Sequence, residues 1–148
     1  MDLKLPEDFK EFLRLLNSHH VEYLLIGGFA VGYYGHLRAT NDMHVWVAVS
    51  PHNARRLVTV LEEFGFGVPE LSEDLFLEKD KIVRMGVPPL RIEILTDISG
   101  VTFAECYENR VVDQIDSDPV NLIDLKHLKQ NKKASGRYKD LSDLEHLP

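Results

Sequence analysis

The stretch from Tyr23 to Val47, YLLIGGFAVGYYGHLRATNDMHVWV, holds the residues best suited to chemistry. An apolar segment runs into the pair Gly27 and Gly28, and Asp42 and His44 follow at the start of a second apolar segment. A glycine turn between a strand and a helix lets backbone N–H groups approach a phosphate closely, and a nearby acid can hold a metal ion beside it. The pattern therefore favours a phosphate and metal site, in which the histidine is the unexpected member.

A third polar position would join this pair if two predicted strands are neighbours. On a strand that starts at Asp42, side chains 42, 44 and 46 share one face because strand residues alternate. In LRIEIL, residues 90–95, the polar residues Arg91 and Glu93 interrupt an otherwise apolar strand. If these strands lie side by side, Asp42, His44 and Glu93 converge where divalent ions could bridge the phosphates of a nucleotide.

Each of these residues also has a purely structural interpretation. The glycines would provide a tight turn, Asp42 would cap a turn, and a lone His44 is more often a hydrogen-bonded residue than a ligand. Glu93 would pair with Arg91 or Arg38. Only as an ordered set do the residues favour a site.

Length and composition predict one globular domain that spans residues 1–148. The chain is 44% hydrophobic, enough for a core, and its formal net charge of -7 disfavours broad attraction to nucleic acid. The single Cys106 excludes an intramolecular disulfide. The N-terminus lacks a signal-peptide pattern, and no apolar run reaches the roughly 20 residues of a membrane span. We expect a cytoplasmic protein without a membrane association.

Hydrophobic periodicity predicts a mixed α/β (α+β) fold, with one mixed sheet and helices mainly on one face. The predicted strands are residues 22–26, 43–49, 82–85, 90–95 and 110–115. The predicted helices are a segment around residues 9–16, residues 29–34, a helix from the Ser50 N-cap to Gly65, residues 101–109, and a C-terminal helical segment of about 122–148 with two helices, around 122–132 and 138–147.

The ordered motifs resemble those of the nucleotidyltransferase superfamily. IGG, thirteen intervening residues, DMHV and the later RIEI are similar to its Gly-Gly or Gly-Ser turn, Asp-x-Asp and third carboxylate. LRAT, ILTDISGVTF and the spacing from Lys133 to Asp140 make the chain similar to small bacterial stand-alone nucleotidyltransferase-like proteins. The resemblance runs from Tyr23 onward and implies a nucleotidyltransferase-like mixed sheet flanked by helices.

The resemblance implies a role for each matching position. The nucleotide would be bound by Gly27, Gly28, Arg38, Thr40 and Lys133, catalysis would rest on Asp42, Glu93, Lys133 and Asp140, and the metal would be held by Asp42, His44 and Glu93. Glu93 is also the candidate base toward an acceptor hydroxyl. The family has an acid where this chain has His44, and a neutral imidazole lacks the charge that suits a hard ion such as Mg²⁺.

The implied activity is transfer of a nucleoside monophosphate from an NTP to an acceptor, with Mg²⁺ or Mn²⁺ as cofactor. The acceptor would be a tRNA, a protein or a small molecule, and an oligomer is compatible with the sequence. In the alternative hypothesis, His44 marks a degenerate site in a nucleotide-binding or protein-interaction module of a toxin–antitoxin-type system.

The segment from Lys126 to Lys139 contains six Lys or Arg residues and no acid, in a chain that is acidic as a whole. This asymmetry suits a polyphosphate or an RNA backbone. A solvated helix surface explains it equally well.

Overall fold

The computed structural model describes residues 4–37, 40, 42–87 and 91–148, which form a six-stranded mixed sheet with six α-helices. The strands are β1 (Tyr23–Ile26), β2 (Asp42–Val47), β3 (Ile82–Met85), β4 (Arg91–Leu95), β5 (Val111–Ile115) and β6 (Asp118–Leu122). The helices are α1 (Glu7–Ser18), α2 (Gly27–Tyr33), α3 (Pro51–Phe64), α4 (Phe103–Glu108), α5 (Leu125–Ser135) and α6 (Tyr138–His146), and a 3₁₀ turn covers Glu73–Phe76. In the part of the chain that is described, no helix combines the length and apolar character that crossing a bilayer needs.

Strand pairing decides which side chains meet, and it confirms the predicted mixed sheet. The strand order is β3-β4-β2-β1-β6-β5, in which β2 with β4 and β1 with β6 are parallel. The remaining neighbours are antiparallel. Because β2 and β4 are direct neighbours, His44 lies opposite Glu93 and Asp42 opposite Arg91.

Helices cover both faces of the sheet. Tyr23 and Leu25 of β1 pack in one apolar cluster with residues of α1 and α3. Leu24 and Ile26 pack in a second cluster with residues of α2, α4 and α5. The prediction of helices mainly on one face is therefore wrong. Every residue of β1 is buried, and a strand of this kind needs apolar cover on both sides.

The predicted boundaries are correct for α3, whose caps are set by neighbouring residues, and wrong for the β5–β6 hairpin. The Ser50 side chain accepts a hydrogen bond from the Asn53 backbone, and Gly65, with φ 104°, caps the C-terminus of α3, as predicted. Strand β6 was not predicted, and residue 122 ends this strand rather than starting a helix. The β5–β6 turn places Asp116 and Ser117 at positive φ without any glycine, so the usual hairpin pattern is missing.

His127 of α5 contacts two carboxylates, those of Asp124 at the N-cap of its own helix and of Glu105 in α4. The imidazole Nδ1 lies 2.5 Å from Oδ1 of Asp124, and Nε2 lies 3.4 Å from Oε1 of Glu105. Burial disfavours the charged ring, but the hydrogen bonds to Asp124 and Glu105 outweigh it and raise the pKa of His127. When it is protonated, His127 forms ion pairs with both carboxylates and thereby stabilises the contact between α4 and α5.

Folding stability should consequently fall as His127 loses its proton. Because the folded pKa is raised, the contribution is complete below the unfolded value of about 6.5 and is lost as pH rises through the folded value. Urea denaturation of wild type and His127→Gln between about pH 6 and pH 9 should show a stability difference that shrinks with rising pH. His52→Gln, at an exposed position of α3, is the control. A difference that stays constant or grows would contradict the ion pair.

Candidate functional site

Asp42, His44 and Glu93 lie together on one face of the sheet. One possible ligand atom of each lies within 4.8 Å of the others. Strand alternation puts residues 42 and 44 on the same face, and the parallel register brings residue 93 beside residue 44. The predicted convergence of the three side chains is confirmed, whereas their role as metal ligands stays a prediction.

Arginine side chains already neutralise both carboxylates. Nη2 of Arg91 donates to Oδ2 of Asp42 at 2.6 Å, and Nε donates to the same oxygen at 3.2 Å. Oε1 of Glu93 accepts from Nε of Arg84 at 3.2 Å and lies 3.5 Å from Nη2 of Arg91. Oε2 of Glu93 lies 3.5 Å from Nε2 of His44. The arginines therefore contact one oxygen of each carboxylate and balance its charge.

The charge of this group is balanced without a metal ion. Burial lowers the pKa of His44 more than Glu93 and Asp42 raise it, so the ring is neutral at pH 7. Two carboxylates then face two guanidinium groups. A hard ion such as Mg²⁺ is held by oxygens whose negative charge is available to it. The three possible ligand atoms are close enough together to hold a small cation. The positive charge of the neighbouring arginines, however, does not suit a divalent metal ion.

The glycine pair forms the first turn of α2, which begins two residues earlier than predicted. Gly27 adopts φ +71°, and a Cβ atom at this position would lie 3.0 Å from Nδ1 of His44. Glycine is thus required at residue 27 for its backbone conformation and for the close approach of β2. Gly28 borders the cavity described next, and its role toward phosphate stays a prediction.

A cavity of about 560 Å³ lies between the sheet and the C-terminal helices, a volume typical of sites for small ligands. It includes the glycine turn, Thr40 and the convergent side chains of β2 and β4. Its basic lining residues are Arg84, Arg91, Lys132, Arg137 and Lys139, and its acidic ones are Asp42, Glu93 and Asp140. A second cavity of about 330 Å³ adjoins it and shares Gly27, His44 and Lys132. The predicted phosphate contact Arg38 lies outside the described residues.

Helix α5 brings Lys132, rather than the predicted Lys133, to the cavity. The Nζ atom of Lys132 lies 3.2 Å from Oδ1 of Asp140 and 3.1 Å from Oδ2 of Asp143. Both acids are only 1% exposed, whereas Lys133 is exposed and does not line the cavity. A step of one residue turns a helix by about 100°, so the two lysines point to different sides. Lys132 rather than Lys133 therefore lines the cavity, and the role of Lys133 toward a nucleotide stays a prediction.

Asp140 lines the cavity beside cationic partners, and its catalytic role stays a prediction. Nε of Arg137 donates to Oδ2 of Asp140 at 2.8 Å. Burial would raise the pKa of Asp140, but hydrogen bonds from Arg137 and Lys132 outweigh it and lower the pKa. The Lys126 to Lys139 segment is therefore not one solvated surface, because Lys132 is buried and Arg137 and Lys139 line the cavity.

Sequence reasoning missed Arg84 and treated Arg91 only as a structural partner of an acid. Both arginines sit in short strands among apolar residues, on the same face as Glu93. A charged residue within a predicted strand of mostly apolar residues is the signal that could have identified them.

Two solved structures share this architecture. One is a presumed nucleotidyltransferase from Thermotoga maritima, with 11% identity, TM-score 0.60, and coverage of 93% of this chain and 88% of that chain. The other is an antigenic nucleotidyltransferase-like protein from Paracoccidioides brasiliensis, with 17% identity, TM-score 0.55, and coverage of 94% and 73%. The sequence matches no protein-family model and no curated relative. The chain thus has a nucleotidyltransferase-like fold, as its motifs predicted.

Proposed function

We propose that the cavity binds a nucleoside triphosphate and that the chain transfers the nucleoside monophosphate to an acceptor, releasing pyrophosphate. The observation that carries this proposal is the meeting of the glycine turn, the Asp42, His44 and Glu93 group and Lys132 around one cavity. Backbone N–H groups and cationic side chains are the donors that a polyphosphate needs. Their placement in a nucleotidyltransferase-like fold supports a nucleotide as the ligand.

Transfer of a phosphoryl group asks the protein mainly to position reactants and to neutralise charge. The cavity has five basic and three acidic lining residues among those described, an excess of two positive charges. This excess would stabilise the triphosphate and the leaving pyrophosphate. Glu93 is the candidate base toward an acceptor hydroxyl.

A label-transfer assay tests this proposal. Wild type is incubated with NTPs labelled at the α-phosphate and with tRNA, protein and small-molecule fractions of a cell extract, with Mg²⁺, with Mn²⁺ or with EDTA. We expect label in one fraction and its loss in Glu93→Gln, because the candidate base is removed. Glu78→Gln, at an exposed position outside the cavity, should leave transfer unchanged. Equal transfer by both variants would remove Glu93 from the mechanism.

The second candidate function is that of a nucleotide-binding or protein-interaction module that catalyses no transfer, as in a toxin–antitoxin-type pair. His44 at the place of the second acid favours it, as do the ion pairs of Asp42 with Arg91 and of Glu93 with Arg84. Stabilisation of the fold by NTP without label transfer under any condition would support this module over the enzyme.

A further inference from the structure

We infer that Arg84 and Arg91 take the place of a divalent ion, so that the cavity binds a chain of two or three phosphates directly, without metal. This inference rests on the proposed function in one respect, since the polyphosphate is taken to be that of a nucleotide. Arg84 and Arg91 would neutralise the phosphate charge when the ligand binds.

Three neighbouring strands arrange alternating charges across the floor of the cavity. Asp42 of β2 lies opposite Arg91 of β4, and Glu93 of β4 lies opposite Arg84 of β3. These side chains share one face because strand residues alternate. The array is neutral as it stands, so its acids provide no net negative charge to attract a divalent cation.

The two guanidinium groups retain donors for a further acceptor. Arg84 contacts Glu93 through Nε, and its side chain is 56% exposed at the cavity. The Arg91 side chain is 32% exposed. A guanidinium carries five N–H donors in a planar fork that matches phosphate oxygens. Both arginines can therefore hold their carboxylate and still donate to a phosphate.

Basic side chains of the C-terminal segment also line the cavity. Lys132 belongs to α5, Arg137 precedes α6, and Lys139 lies in the first turn of α6. An anion in the cavity would thus meet basic side chains of the sheet and of the C-terminal segment, where these three cations outnumber the one lining acid, Asp140. This local excess of positive charge stands out in a chain with a formal net charge of -7.

A metal ion at the same place would meet an electrostatic obstacle. A divalent cation among Asp42, His44 and Glu93 would lie beside two guanidinium groups. An ion bound through Oδ2 of Asp42 would also have to displace the 2.6 Å contact with Arg91. Like charges repel more strongly in a partly buried site than in water. Direct contact between phosphate and arginine needs no such displacement.

Calorimetric titration with inorganic triphosphate and with ATP, in EDTA and in Mg²⁺, tests the inference. We expect wild type to bind triphosphate in EDTA, and Arg84→Gln to weaken binding about tenfold or more because charged hydrogen bonds are lost. Arg84→Lys should lose less, since it keeps the charge. Arg55→Gln, at an exposed position of α3 outside the cavity, should bind like wild type. Melting temperatures verify that the variants are folded.

The outcomes separate this inference from the proposed function. Binding that requires Mg²⁺ and survives Arg84→Gln would overturn the inference and leave the proposed function intact. No binding of ATP or triphosphate under either condition would overturn both. If ATP binds in EDTA far more tightly than inorganic triphosphate and both depend on Arg84, the inference holds and the ligand is a nucleotide rather than free polyphosphate.

Discussion

Replacing Lys132 with methionine should lower the free energy of unfolding by about 3–5 kcal/mol, the usual result of removing one partner of a buried ion pair. The substitution would leave Asp140 and Asp143, each 1% exposed, without the ammonium group that lies 3.2 and 3.1 Å from them. In a chain of this length the melting temperature should fall by roughly 10 °C. Thermal and urea denaturation measure the change.

Lys133→Met is the matched control for this prediction. Residue 133 is exposed on the same helix, so its substitution should change stability by less than about 0.5 kcal/mol. Adding Asp143→Asn to Lys132→Met should recover part of the loss, because it removes one of the two acids that lost the lysine. Equal stability of the two lysine variants would contradict the assignment of Lys132 to the buried network.

The second large effect is expected from His44→Asp. Residue 44 lies opposite Glu93 and beside Asp42 on the same face, so the variant would have three carboxylates against two guanidinium groups. The added unit charge, about 4 Å from a bound divalent ion, contributes up to about 8 kcal/mol at an effective dielectric constant of about 20, twice the figure for two unit charges. Mg²⁺ affinity should therefore rise by at least about tenfold, which requires only about 1.4 kcal/mol. Calorimetric titration with Mg²⁺ measures the affinity.

His44→Asn separates the new charge from the loss of the imidazole ring. Asparagine has nearly the shape of aspartate without its charge, so this variant should show no gain in Mg²⁺ affinity. Without metal, His44→Asp should be less stable than His44→Asn because Glu93 is buried beside the new acid. It should also bind triphosphate less tightly in EDTA. Equal Mg²⁺ binding by the two variants would show that residue 44 does not contribute its charge to the cavity.

The sequence by itself determined the local features of this protein. Strand alternation put Asp42 and His44 on one face, and the Ser50 N-cap with Pro51 set the start of α3. The glycine pair marked the end of β1. These features depend on neighbours within a few residues. Periodicity, capping and turn residues act over the same short distance along the chain, so the sequence shows them directly.

Only the tertiary structure decided which distant groups meet and what charge they carry. The neighbouring positions of β2, β4 and β3 gave Asp42 and Glu93 their arginine partners, which the spacing of residues along the chain does not specify. Consecutive residues of a helix point about 100° apart, and the packing of α5 turned Lys132 rather than Lys133 toward the buried acids. The charge balance of the cavity follows from these long-range contacts, because a group's protonation and metal affinity depend on the charges and burial around it.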